Sequence, residues 1–134
     1  MSDVTKIVDA YLAMWNETDP SRRAEYIDRA WARDGYYVDP QLEAEGRAAL
    51  NDMVTTVQAR FPGHRFRRIS GIDNHHGELR FAWELAAPDG SIVVAGIDVG
   101  GLATDGRLKR VTGFFGQLPA LAAQASGAPG VTQR

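Results

Sequence analysis

The sequence predicts an α+β domain, and three observations carry that prediction. Apolar residues repeat with helical spacing at the start of the chain. They switch to a period of two near residue 64. The elements read in the order helix, helix, strand, helix, then a meander of strands, which segregates the helices from an antiparallel sheet. At 134 residues and 44% hydrophobic content the chain has the length of one domain with one core.

The first helix is expected from Asp3 to Trp15, capped by Ser2 or Asp3. Val4, Ile7, Val8, Tyr11, Leu12 and Trp15 fall on one face, so Tyr11 points inward and its phenol needs a hydrogen-bond partner. Asp19 and Pro20 open a second helix, running to about Ala32 with Ala24, Ile27, Ala30 and Trp31 inward. Arg33-Asp34-Gly35 reads as a turn with Gly35 as C-cap. A short strand, Tyr36-Tyr37-Val38, then ends at Asp39-Pro40, because Pro40 cannot donate to a ladder and holds Asp39 extended. Gln41 to Gly46 reads as polar and irregular. The third helix spans about Gly46 to Arg60, with Leu50, Met53, Val54, Val57 and Phe61 as its stripe and Pro62-Gly63 as its stop.

Strands follow. Arg65 to Ile72 carries many basic residues and so has one wet face, and Asp73 to Gly77 is a turn. Leu79, Phe81, Trp83 and Leu85 alternate with less apolar neighbours. Pro88-Asp89-Gly90 and Thr104-Asp105-Gly106 are hairpin turns around a long strand from Ser91 to Leu102, and Leu108 to Gln117 is the last strand. Gly100-Gly101 marks a bulge where the sheet bends. The expected domain covers 1–118, and 119–134 reads as a loose tail rich in Ala, Gly and Gln.

Several function classes are excluded or disfavoured by composition. A net charge of −2 gives no footprint for nucleic acid or an anionic membrane surface. The absence of cysteine removes thiolate nucleophiles and thiolate metal sites and fits a reducing cytoplasm. No run approaches a membrane span, and the first residues do not resemble a signal peptide. His75-His76 is a poor chelate in a turn, so no metal or organic cofactor is expected.

Two carboxyl groups remain as candidates. Asp39 is either a solvated acid starting an Asp-Pro turn or an acid at a strand tip, where apolar surroundings raise its pKa for proton transfer. Asp98 interrupts the apolar strand Ile92–Val99. It is either on the wet outer face or an inward group that must be paired or protonated.

Tyr11-Leu12-Ala13-Met14-Trp15, Tyr37-Val38-Asp39-Pro40, Glu45-Gly46-Arg47 and Gly96-Ile97-Asp98-Val99 followed by Asp105-Gly106-Arg107-Leu108 together resemble the nuclear transport factor 2-like superfamily. The likeness is nearest to its ketosteroid isomerase and SnoaL-like polyketide cyclase branches. That resemblance implies a cone, a curved antiparallel sheet wrapped around three helices with a pocket at the wide end. It also implies a homodimer formed through the sheets. It gives Asp39 the role of general base, with Tyr11 and a protonated Asp98 as oxyanion donors. Trp15, Trp31, Met53, Trp83 and Phe114 are the expected pocket lining. The implied activity is a cofactor-free isomerisation or cyclisation of an apolar carbonyl compound. The alternative is a small-molecule binder or dimeric interaction domain on the same fold.

Overall fold

The structure is a computed structural model that describes residues 3–122. Helix α1 (Asp3–Asn16) buries Val8, Tyr11 and Trp15 of the expected stripe together with Ala10 and Met14, while Val4, Ile7 and Leu12 are half-buried. Helix α2 (Pro20–Ala30) is capped by Asp19, whose side chain accepts from the Ser21 N–H. Its inward face differs from expectation at one position, since Arg23 is buried and Ala24 is exposed. The long Arg23 side chain reaches across to α3 (Arg47–Arg60). There it donates to Asn51, Thr55 and the Gln58 side-chain oxygen, while its Nε–H donates to the Glu17 carbonyl. Gln58 in turn donates to the Trp15 and Glu17 carbonyls. A buried guanidinium is tolerated because its donors are met, and the result ties the end of α1 to α3.

No turn separates α2 from the first strand. Strand β1 (Trp31–Val38) begins at the residue that closes the helix, and Arg33-Asp34-Gly35 lies within it. Gly35 is required by a close approach rather than by a cap. The Trp31 indole folds over it, and a Cβ there would stand 2.3 Å from Trp31 Nε1. The same indole stacks on the Tyr11 ring at 6.1 Å between centroids. Gly35→Ala is therefore expected to destabilise the protein by about 1–3 kcal/mol through overpacking. Urea unfolding reads this out, and a neutral result would show that the indole yields at no cost.

Strand β2 (Glu43–Glu45) lies in the stretch expected to be irregular and pairs with β1. Strand β3 (Arg65–Arg68) is shorter than expected. Asp73-Asn74-His75 forms β4 (Asp73–His75), leaving His76 and Gly77 as the turn, both at positive φ. Strands β5 (Glu78–Ala86), β6 (Ile92–Leu102) and β7 (Leu108–Phe115) follow the expected meander. The sheet order is β2-β1-β7-β6-β5-β3, with β4 also on β5. A register shift at Gly101/Leu102 falls beside the expected bulge.

The fold is α+β, with three helices on a curved sheet, and one junction corrects the expectation of a purely antiparallel sheet. β1 runs parallel to β7, pairing Tyr37 with Val111 and Val38 with Thr112, while the other pairings are antiparallel. Short connections join the antiparallel pairs β1–β2, β4–β5, β5–β6 and β6–β7. No hairpin joins β1 to β7, which are far apart in the chain.

Leu79, Phe81 and Trp83 face the helices together with Asp98 and Val111. The expected tail and the alternative cap Ser2 fall almost wholly outside the described residues. Among the described residues no helix is long and apolar enough to cross a membrane.

Candidate functional site

A cavity of about 180 Å³ opens between α1, the end of α3 and the inner face of the sheet. Aromatic edges form its walls. Trp15 meets Tyr37 and Phe66, Phe66 meets Trp83, and Trp83 meets Phe115, with ring centroids 5.0–5.9 Å apart. Gln41, Arg60 and Val93 are the exposed members of the lining, while Tyr11, Tyr37, Trp83 and Asp98 are buried.

Asp98 sits on the inner face of β6, opposite Phe81 and Gly113, and is 5% exposed. The reading that left it wet is thereby overturned. Both of its oxygens have partners. The Tyr11 hydroxyl donates to Oδ2 at 3.0 Å, and Trp83 Nε1–H donates to Oδ1 at 3.0 Å. Burial pushes the Asp98 carboxyl up to about 7; the two donors pull against this, and the nearby Asp39 charge adds to it. Burial, then the Asp98 charge, raises the Tyr11 phenol well above its ordinary value.

Asp39 forms a turn and also lines the cavity. Its Oδ1 accepts from the Gln41 and Leu42 N–H groups at 2.8 and 2.9 Å, the turn that Asp-Pro foreshadows. Its Oδ2 lies in the cavity wall and accepts from the Tyr37 hydroxyl at 2.7 Å. Burial first, then the Asp98 charge and the bond to Asp39, raise the Tyr37 phenol. The two acids meet over Gly113. A Cβ at that position would stand 3.1 Å from Asp98 Oδ1, 3.2 Å from the Asp39 Cβ and 3.3 Å from the Tyr37 hydroxyl.

Of the expected lining, Trp15 and Trp83 face the cavity with Tyr11, Asp39 and Asp98. Three residues do not. Trp31 is fully buried behind Tyr11, Met53 packs in the core on the buried face of α3, and Phe114 is 55% exposed on the outer face opposite Ile97. Alternation explains Phe114, because its neighbour Phe115 shares the parity of Gly113 and turns inward. Tyr37 was missed although it shares the parity of Asp39. Arg60 was missed although it follows Val57 by one helical turn. Among the described residues no group of three or more His, Cys, Asp or Glu side chains could hold a metal ion.

Three helices on a curved mixed sheet are the fold of the nuclear transport factor 2-like class. The chain belongs to the SnoaL-like family within it. A provisionally assigned isomerase of that family from Agrobacterium tumefaciens is 39% identical to it. The match covers 87% of this chain and 100% of that one, at a TM-score of 0.82. At 13% identity, a protein with a cystatin-like fold from Methylobium petroleophilum is similar over 98% of this chain and 94% of its own, at a TM-score of 0.71. A provisionally assigned SnoaL-like polyketide cyclase from Jannaschia is 14% identical over 83% of this chain and 85% of its own, at a TM-score of 0.62. No protein-family model matches the chain, and no curated protein matches it.

Proposed function

We propose that the protein is a cofactor-free isomerase or cyclase that moves a proton on an apolar carbonyl compound. The observation that carries this reading is the hydrogen-bonded chain Trp83–Asp98–Tyr11 in an apolar cavity that also contains Asp39. Trp83 Nε1–H can only donate, so it makes Asp98 Oδ1 an acceptor. A proton on Asp98 therefore sits on Oδ2, facing the Tyr11 oxygen. With that proton in place Asp98 donates to Tyr11, and the Tyr11 hydroxyl is released to donate to a ligand carbonyl. Negative charge that develops on that oxygen is met by a donor already polarised from behind. Asp39 takes the proton from the carbon beside the carbonyl, with Tyr37 holding the carboxylate in place. This refines the resemblance, since Asp98 acts through Tyr11.

Deuterium exchange tests the reading without the natural substrate. A set of small apolar ketones is incubated with the protein in heavy water, and loss of the proton beside the carbonyl is followed by NMR. Exchange faster than the buffer rate supports proton transfer. Quenching of the cavity tryptophans by these ketones without exchange would favour the second reading, a non-catalytic binder. That alternative draws on the three hydrogen bonds that Asp39 already accepts.

A homodimer through the outer sheet face belongs to the same proposal. Ile97 and Phe114 are cross-strand neighbours there, 37% and 55% exposed, and Ala82 lies beside Ile97. Such an apolar centre is stabilised by a second copy of itself around a two-fold axis. Sedimentation at micromolar concentration is expected to give a dimer. Phe114→Glu is expected to give a folded monomer, and a monomeric parent protein would refute the interface.

A further inference from the structure

We infer that the ligand carries a carboxylate, held at the mouth of the cavity by Arg60, while its carbonyl end reaches Tyr11 at the floor. This rests on the proposed function and names a substrate class for the same site.

Among the described residues that line the cavity Arg60 is the only cation, and it is exposed at the rim. Among the described residues its side chain has no hydrogen bond and no ion pair. Arg22, Arg47, Arg67, Arg68, Arg80, Arg107 and Arg110 are each engaged with a carboxylate elsewhere on the surface. Gln41 shares the rim, and only its backbone N–H is used, by Asp39. Its carboxamide is a second donor at the mouth.

The cavity is thus electrically polar along its depth. Asp39 and Asp98 stand inside, and the guanidinium stands at the entrance. An acidic group on the ligand is repelled by the Asp39 carboxylate and drawn to the planar donors of the guanidinium. The rest of the lining is largely apolar and aromatic and covers the body of the ligand. The charge distribution therefore fixes orientation as well as class, with the acid outward and the carbonyl inward. Arg60 also stands in the last turn of α3, where a cation interacts favourably with the helix carbonyl end. Lysine serves that second role equally well but lacks the fork that fits a carboxylate, so Arg60→Lys separates the two.

The test uses three probes, a bicyclic ketone (β-tetralone), the same ketone with a carboxylate on its far ring, and the methyl ester of that acid. Affinities are measured by calorimetry at low and moderate salt. The acid is expected to bind about threefold to tenfold more tightly than the ester. Arg60→Gln is expected to abolish the difference, Arg60→Lys to retain only part of it, and added salt to reduce it. β-Tetralone is expected to bind all variants alike. Equal binding of acid and ester, with β-tetralone still bound, overturns the inference and leaves the proposed function standing. Failure of all three to bind overturns the pocket reading and this inference with it.

Discussion

Asp39→Asn is expected to slow ketone deuterium exchange by about 10²-fold or more while ligand binding survives. The substitution keeps the shape of the site. An Asn oxygen can still accept from the Gln41 and Leu42 N–H groups. Its amide can donate to the Tyr37 oxygen, reversing the bond that Tyr37 now makes. What is lost is the lone pair that receives a proton. A loss of binding in step with rate would point to a merely structural Asp39. Unchanged exchange would remove Asp39 from the chemistry altogether.

Exchange is also expected to fall as pH rises through about 7, and Asp98→Asn is expected to remove that fall. Below this pH the Asp98 carboxyl is protonated in the folded protein, and Tyr11 is free to donate to the ligand. Above it Tyr11 donates to the Asp98 carboxylate and is withdrawn. In the Asn variant the amide donates permanently to Tyr11, as the protonated acid does. Tyr11→Phe lacks the donor at every pH and is expected to lose on the order of 10-fold to 10³-fold in rate. Stability must move with the same proton. The folded-state value is raised from 3.8 to about 7, so the folded form holds a proton that the unfolded chain has released. The group's contribution is complete below about pH 4 and is lost as pH climbs to about 7. The full loss is about 4 kcal/mol. Urea unfolding across that window should show the decline in the parent protein and remove this part of it in Asp98→Asn. An unchanged decline would mean that another group titrates.

Regular periodicity made much of this molecule legible. The α1 stripe turned Tyr11 inward, alternation along β5 turned Trp83 to the buried face, and Pro40 ended the first strand at Asp39. Features that depend on distant partners were hidden. β2 is three residues long, and only Ala44 faces inward, too little to register as a pattern. Gly35 looked like a helix stop because the indole that needs its missing side chain lies four residues back and folds over it only in the tertiary structure. Arg23 reads as a surface residue until its acceptors on α3 are in place. Phe114 and Phe115 are indistinguishable by composition. Only the register against Gly96 and Ile97 decides which of them enters the cavity.

The parallel seam between β1 and β7 bears on how the molecule is made. Asp39 ends a strand laid down early in synthesis, yet the neighbour that seats this strand is β7, which emerges only after all the other described strands. The bond between Tyr11 and Asp98 likewise spans 87 positions. Helices and hairpins can assemble from local contacts as they leave the ribosome, whereas this seam must wait for loop closure across nearly the whole sheet. The acids can meet over Gly113 only once β7 has been made, and a nascent chain truncated before β7 holds both acids but lacks the strand that carries Gly113.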